Sequence, residues 1–99
     1  MTSSTSIREP RATDVNVTED SLFVELIDGR TVSVPLVWYP RLLHGTAEER
    51  SRWEFIGDGE GIHWPALDED VSIQGLLDGR PSGESPKSLR KWLDSRKTN

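Results

Sequence analysis

The strongest constraint in this chain is an alternating run broken by one Asp-Gly: Leu22, Val24 and Leu26 precede it, and Val32, Val34 and Leu36 follow. A period of two is the signature of a half-buried strand, so two strands and a tight turn are implied. Parity then selects the turn. A two-residue Asp28-Gly29 loop would set Val24 opposite Ser33 and mix apolar with hydroxyl faces. A three-residue loop of Ile27, Asp28 and Gly29, with Gly29 in the left-handed bulge position, sets Val24 opposite Val32 and Leu22 opposite Val34. The pattern therefore predicts a bulged hairpin, joined upstream by a strand carrying Val15 and Val17 after a Glu19-Asp20-Ser21 turn. Pro35 lacks a backbone donor and suits an edge or strand end.

Further along, Trp38 to Gly45 reads as a short helix with Pro40 in its first turn. Thr46-Ala-Glu-Glu49 has the spacing of a capping box, opening a second short helix near 47–52. Trp53-Glu-Phe-Ile56 and Ile62-His-Trp64 flank the glycine-rich segment 57–61 and predict a second hairpin over about 53–64, closed by Pro65. Residues 71–73 read as strand and 74–78 as helix, ending at Gly79. Ser85-Pro86 opens a last helix over 86–97, with Leu89, Trp92 and Leu93 on one stripe. The expected class is α+β: a small antiparallel sheet, built from the hairpin of about 13–36 and the second of about 53–64, with short helices and a C-terminal amphipathic helix.

Composition partitions the chain. Of 99 residues, 33% are hydrophobic overall, but residues 12–80 hold 28 apolar residues, enough for one small core. Residues 1–11 are polar and are expected to be a disordered extension; 12–80 form the globular domain, 81–85 a linker and 86–97 the helix. Net charge is −5, divided as +1 on 1–11, −9 on 12–80 and +3 on 81–99. A body this acidic argues against direct nucleic-acid binding, because phosphate attraction needs clustered Lys and Arg. There is no cysteine, which excludes disulfides and thiolate chemistry. Neither a signal sequence nor a long apolar run is evident, so the expectation is a soluble cytoplasmic protein without membrane contact.

Candidate chemistry is sparse. His44 lies at a helix end and reads as a cap. His63, between Ile62 and Trp64 on a predicted strand, has Asp58, Glu60 and Asp68 nearby in sequence; a base or metal ligand is the functional reading, and a hydrogen-bonded strand residue the structural one. Asp58-Gly-Glu60 and Asp68-Glu-Asp70 lack the spacing of a calcium loop, and zinc would have a single His and no thiol. No Gly-x-Ser-x-Gly or phosphate-loop pattern occurs. No catalytic residue, metal or cofactor is expected.

Aromatic residues are the unusual feature: Trp38, Trp53, Trp64 and Trp92, with Tyr39 beside the first. Two or more should be core payload. The remainder, with arginine, are the types that anchor interfaces. The candidate partner-binding residues are therefore Trp38, Tyr39, Arg41, His63 and Trp64, and, on the last helix, Leu89, Trp92 and Leu93. That helix is marginal alone and must cover its stripe, either on its own domain or in a partner's groove.

Leu22-Phe-Val-Glu-Leu-Ile-Asp-Gly-Arg-Thr31, Pro35-Leu-Val-Trp-Tyr-Pro-Arg-Leu-Leu43, Trp53-Glu-Phe-Ile-Gly57 and Gly61-Ile-His-Trp-Pro-Ala-Leu-Asp-Glu-Asp70 together resemble the domain-of-unknown-function 2442 family over about residues 13–80. The resemblance implies a small bacterial α+β domain without an established activity, whose members are often encoded beside a second small protein, the 4160 type, in a toxin–antitoxin-like arrangement. It implies no site residues. The expected function is a non-enzymatic protein-binding module, the antitoxin-like member of a two-gene pair, with a small basic protein as partner. Two alternatives stand beside it: a small enzyme or metal-dependent ligand binder centred on His63, and a nucleic-acid regulator acting through the basic last helix.

Overall fold

The computed structural model describes residues 10–97. Six strands and four α-helices follow one another as β1 (Ala12–Val17), β2 (Ser21–Leu26), β3 (Thr31–Pro35), α1 (Pro40–Leu43), α2 (Ala47–Ser51), β4 (Glu54–Ile56), β5 (Gly61–Trp64), β6 (Glu69–Ser72), α3 (Ile73–Leu77) and α4 (Pro86–Lys97). Single 3-10 turns at Leu36–Trp38 and Pro65–Leu67 link strand to helix and strand to strand. The strands form two antiparallel sheets, β1-β2-β3 and β4-β5-β6. The α+β class thus holds, but the two hairpins belong to separate sheets, each completed by a third strand.

In the first sheet Leu22 lies opposite Val34 and Val24 opposite Val32, the pairing required by the three-residue loop. Gly29 has φ +95°, and its N–H donates to the Leu26 carbonyl at 3.0 Å while the Leu26 N–H donates to Arg30 at 2.8 Å. Strand β1 carries a bulge between Ala12 and Asp14, which leaves Thr13 and Asp14 both outside. Pro35 is exposed at the end of the edge strand β3. Of the expected N-terminal extension, residues 1–9 lie outside the described residues; Arg11 is held in place, its carbonyl accepting from the Ile27 N–H at 2.9 Å.

One core joins both sheets. Ala12, Val15, Leu22, Val24, Leu26 and Val34 meet Ile62, Trp64, Val71, Leu67, Ile73 and Leu76, with Leu36, Tyr39 and Leu42 filling the space beneath the short helices. Backbone stitches the seam where the Ala12 N–H donates to Gly59 at 2.7 Å, while the Ile73 N–H, donating to Glu60 at 3.0 Å, extends the β5–β6 pairing. Gly59, at φ +95°, allows that approach, since a Cβ there would sit 2.5 Å from the Ala12 oxygen. Helix ends follow their predicted chemistry. Thr46 and Glu49 form the capping box, at 3.1 and 2.9 Å, and Arg50 donates to the Leu42 and Leu43 carbonyls at the end of α1, at 2.8 and 2.7 Å. No helix among the described residues is long and apolar enough to cross a membrane.

Candidate functional site: the outward face of the second sheet

Register builds this face. Glu54 pairs with His63 and His63 with Asp70, while Ile56 pairs with Gly61 and Gly61 with Ser72. Side chains alternate across a strand, so Glu54, His63 and Asp70 form one outward row, and Ile56, Gly61 and Ser72 the next. The opposite face carries Ile62, Trp64 and Val71 into the core. His63 Nδ1 bonds the Asp70 carboxylate, with the ring about one-third exposed. That hydrogen bond raises the imidazole pKa above the usual histidine range against the effect of burial, and the charges of Asp70 and Glu54 reinforce it. In the second row Gly61 offers no side chain, so Ile56, 43% exposed, stands over a shallow groove walled by Asp70, Val71 and Ser72 and flanked by Glu60.

The carboxylates around His63 are therefore not those nearest in sequence. Asp58 points to Arg11 at 3.7 Å, and Asp70 and Glu54 take the expected places of Asp58 and Glu60. The pairing of β5 with β6 is the signal that would have found them. Among the described residues no group of three or more His, Asp or Glu side chains is arranged to hold a metal.

The other candidate residues lie elsewhere. Trp64 is fully buried, its indole N–H donating to the Arg50 carbonyl at 2.9 Å. Tyr39 is buried too, its hydroxyl donating to the Arg80 carbonyl at 3.4 Å; burial, with the nearby Glu69 charge, pushes its pKa up to about 12. Both have satisfied polar tips and belong to the core rather than to a solvent-facing rim. Trp38 and Trp53 are half-buried against the same core, and Trp53 leans on Phe55 with ring centroids 4.9 Å apart.

Arg41 and Trp92 meet in a second constellation, which returns α4 to the domain. Arg41 forms a two-point pair with Glu84, at 2.8 and 2.7 Å, and its guanidinium lies 5.1 Å from the Trp92 ring centre. Arg96 approaches the same ring at 4.7 Å and bonds Glu49 at 2.9 Å. Hydrogen bonding to Arg41 holds Glu84 below the usual carboxylate range, and Arg96 does the same for Glu49. Of the predicted stripe, Trp92 packs on the core; Leu89 and Leu93 stay half-buried. The helix thus folds back on the Trp92 indole and the Arg96–Glu49 pair, with Arg41–Glu84 holding the segment that leads into it. Beneath this clasp sits Glu69, which faces inward beside Trp64: its Oε1 accepts from the Asp70 N–H at 3.0 Å, its Oε2 has no partner, and burial raises its pKa.

Two small antiparallel sheets sharing one core, capped by short helices and a clasped terminal helix, define a compact α+β domain class. The chain belongs to the DUF2442 family, described as a protein of unknown function, whose model matches residues 12–82. A protein of unknown function from Rhodospirillum rubrum, solved by crystallography, is similar at 29% identity and a TM-score of 0.66, covering 78% of this chain and 95% of that one. An uncharacterised protein from Chromobacterium violaceum, solved by NMR, is similar at 25% identity and a TM-score of 0.63, covering 82% and 74%. No curated protein matches the sequence.

Proposed function

We propose that this chain is a non-enzymatic protein-binding module for a small basic protein, acting as the antitoxin-like member of a two-gene pair. One observation carries the reading: the body's cations are engaged locally while many of its acids are not. Arg30 pairs with Asp28, Arg41 with Glu84, Arg52 with Glu48 and Arg80 with Asp78, and Arg50 is spent on backbone carbonyls. Among the described residues Asp14 and Glu25 on the first sheet and Glu54 and Glu60 on the second have no ion pair. Such a field draws in a cationic partner and sets the association rate more than the final affinity.

The test is co-expression with the product of the neighbouring gene, followed by stopped-flow association of the purified pair. A complex should form, and raising salt from about 50 to about 300 mM should slow association about tenfold or more. Absence of a complex, or an association rate indifferent to salt, overturns the reading.

A further inference from the structure

The partner's point of attachment follows from the shape of the second sheet. We propose that the groove over Gly61, between Ile56, Ser72 and Asp70, is the docking site for an arginine- or lysine-bearing extended segment of a basic protein partner; this rests on the binding-module reading above.

A long cationic side chain has two unlike parts, an aliphatic stem that prefers apolar surface and a charged head that prefers carboxylates or water. The groove presents both in that order. Its floor is the bare backbone of Gly61, its apolar wall is the exposed Ile56, and Glu60 and Asp70 stand at its rim. Glu54 lies one row away on the same face. Neither Glu54 nor Glu60 is neutralised by a cation of this chain, and Asp70 is engaged by His63 alone. Glycine at 61 sets the shape of that wall: a Cβ there would meet Ile56 Cδ1 and the Val71 oxygen at 3.2 Å, so the missing side chain is what lets Ile56 lie down against the sheet beside the groove. Charge complementarity selects the occupant. A neutral or acidic segment would desolvate Glu60 without a counterion, whereas an alternating basic strand brings one cation every second residue to this face.

The experiment titrates the full-length, nitrogen-15-labelled protein with a capped five-residue peptide alternating threonine and arginine, and in parallel with spermidine. Amide shifts should centre on Ile56, Gly61, Val71 and Ser72. Glu60→Gln and Ile56→Ser should each weaken the peptide at least fivefold, with spectra otherwise native, while Glu19→Gln, an equal change in charge at a distant turn, should stay within twofold. Shifts centred on Asn16, Phe23 and Thr31, equal shifts with spermidine, or a Glu60→Gln effect no larger than that of Glu19→Gln would overturn the groove. If the peptide fails while the basic neighbour still forms a salt-dependent complex, the groove falls and the binding-module reading stands; if both fail, both fall.

Discussion

His63 and Glu69 lie on the paired strands β5 and β6, and both weaken the fold as pH rises, the first by losing a favourable charge and the second by gaining an unfavourable one. The folded state raises the His63 pKa through Asp70, so the stabilisation is complete below the unfolded value of about 6.5 and is lost as pH rises through the higher folded value. Urea unfolding between pH 5.5 and 8.5 should show this slope in the native sequence and lose it in Asp70→Asn. Glu69 also has a raised pKa: half-buried, with one enclosed oxygen unpartnered, it destabilises the fold when ionised. Glu69→Gln should therefore equal or exceed the native stability at pH 7, and the difference should vanish as pH falls below the unfolded carboxyl value of about 4.3. Gly59 is a backbone case: Gly59→Ala combines a positive φ with the 2.5 Å contact to Ala12, and should cost about 2 kcal/mol or more in chemical denaturation.

Among elements, α4 is the least integrated: no residue of it is fully buried, and it is held by the Trp92 indole and the Arg96–Glu49 ion pair, with the segment before it held by Arg41–Glu84. Segments with few buried contacts open first. Trp92→Ala should speed amide exchange over 86–97 by tenfold or more and leave 12–77 within twofold. The same detachment should occur in acid, because Glu49 and Glu84 have depressed folded pKa values. Their contribution is present above the unfolded value and disappears as pH falls through the folded one. Local signals at this scale were legible: the bulged hairpin's register, the Thr46 capping box and the 86–97 helix all occur where parity, cap spacing and Ser85-Pro86 placed them. The strand at 69–72 was only half visible, because its outward Asp70 and inward Glu69 hide the apolar alternation that marks the other strands.

For the whole molecule, the separation of charge between an acidic body and a basic terminal helix accounts for the Arg96–Glu49 half of the clasp, while Arg41–Glu84 runs against it, with the cation on the body. The aromatic count was a poorer guide. The surplus of indoles pointed to Trp38, Trp64 and Trp92 as an interface, yet Trp64 fills the core and Trp38 and Trp92, like Trp53, lean on it. A core this small must draw its volume from its largest side chains, so they go inward once their N–H groups find acceptors.

What the linear order of residues determined by itself was everything ruled by short-range geometry: strand parity, turn type, helix caps and the sign of each segment's charge. Those depend on periods of two or 3.6 residues and on sterics within a few bonds. Only the tertiary structure decided that β5 pairs with β6, which brings Asp70 rather than Asp58 to His63 and opens the furrow above Gly61. That choice is non-local. Several pairings satisfy the same alternation, and the one adopted is that which buries Ile62, Trp64 and Val71 against the first sheet.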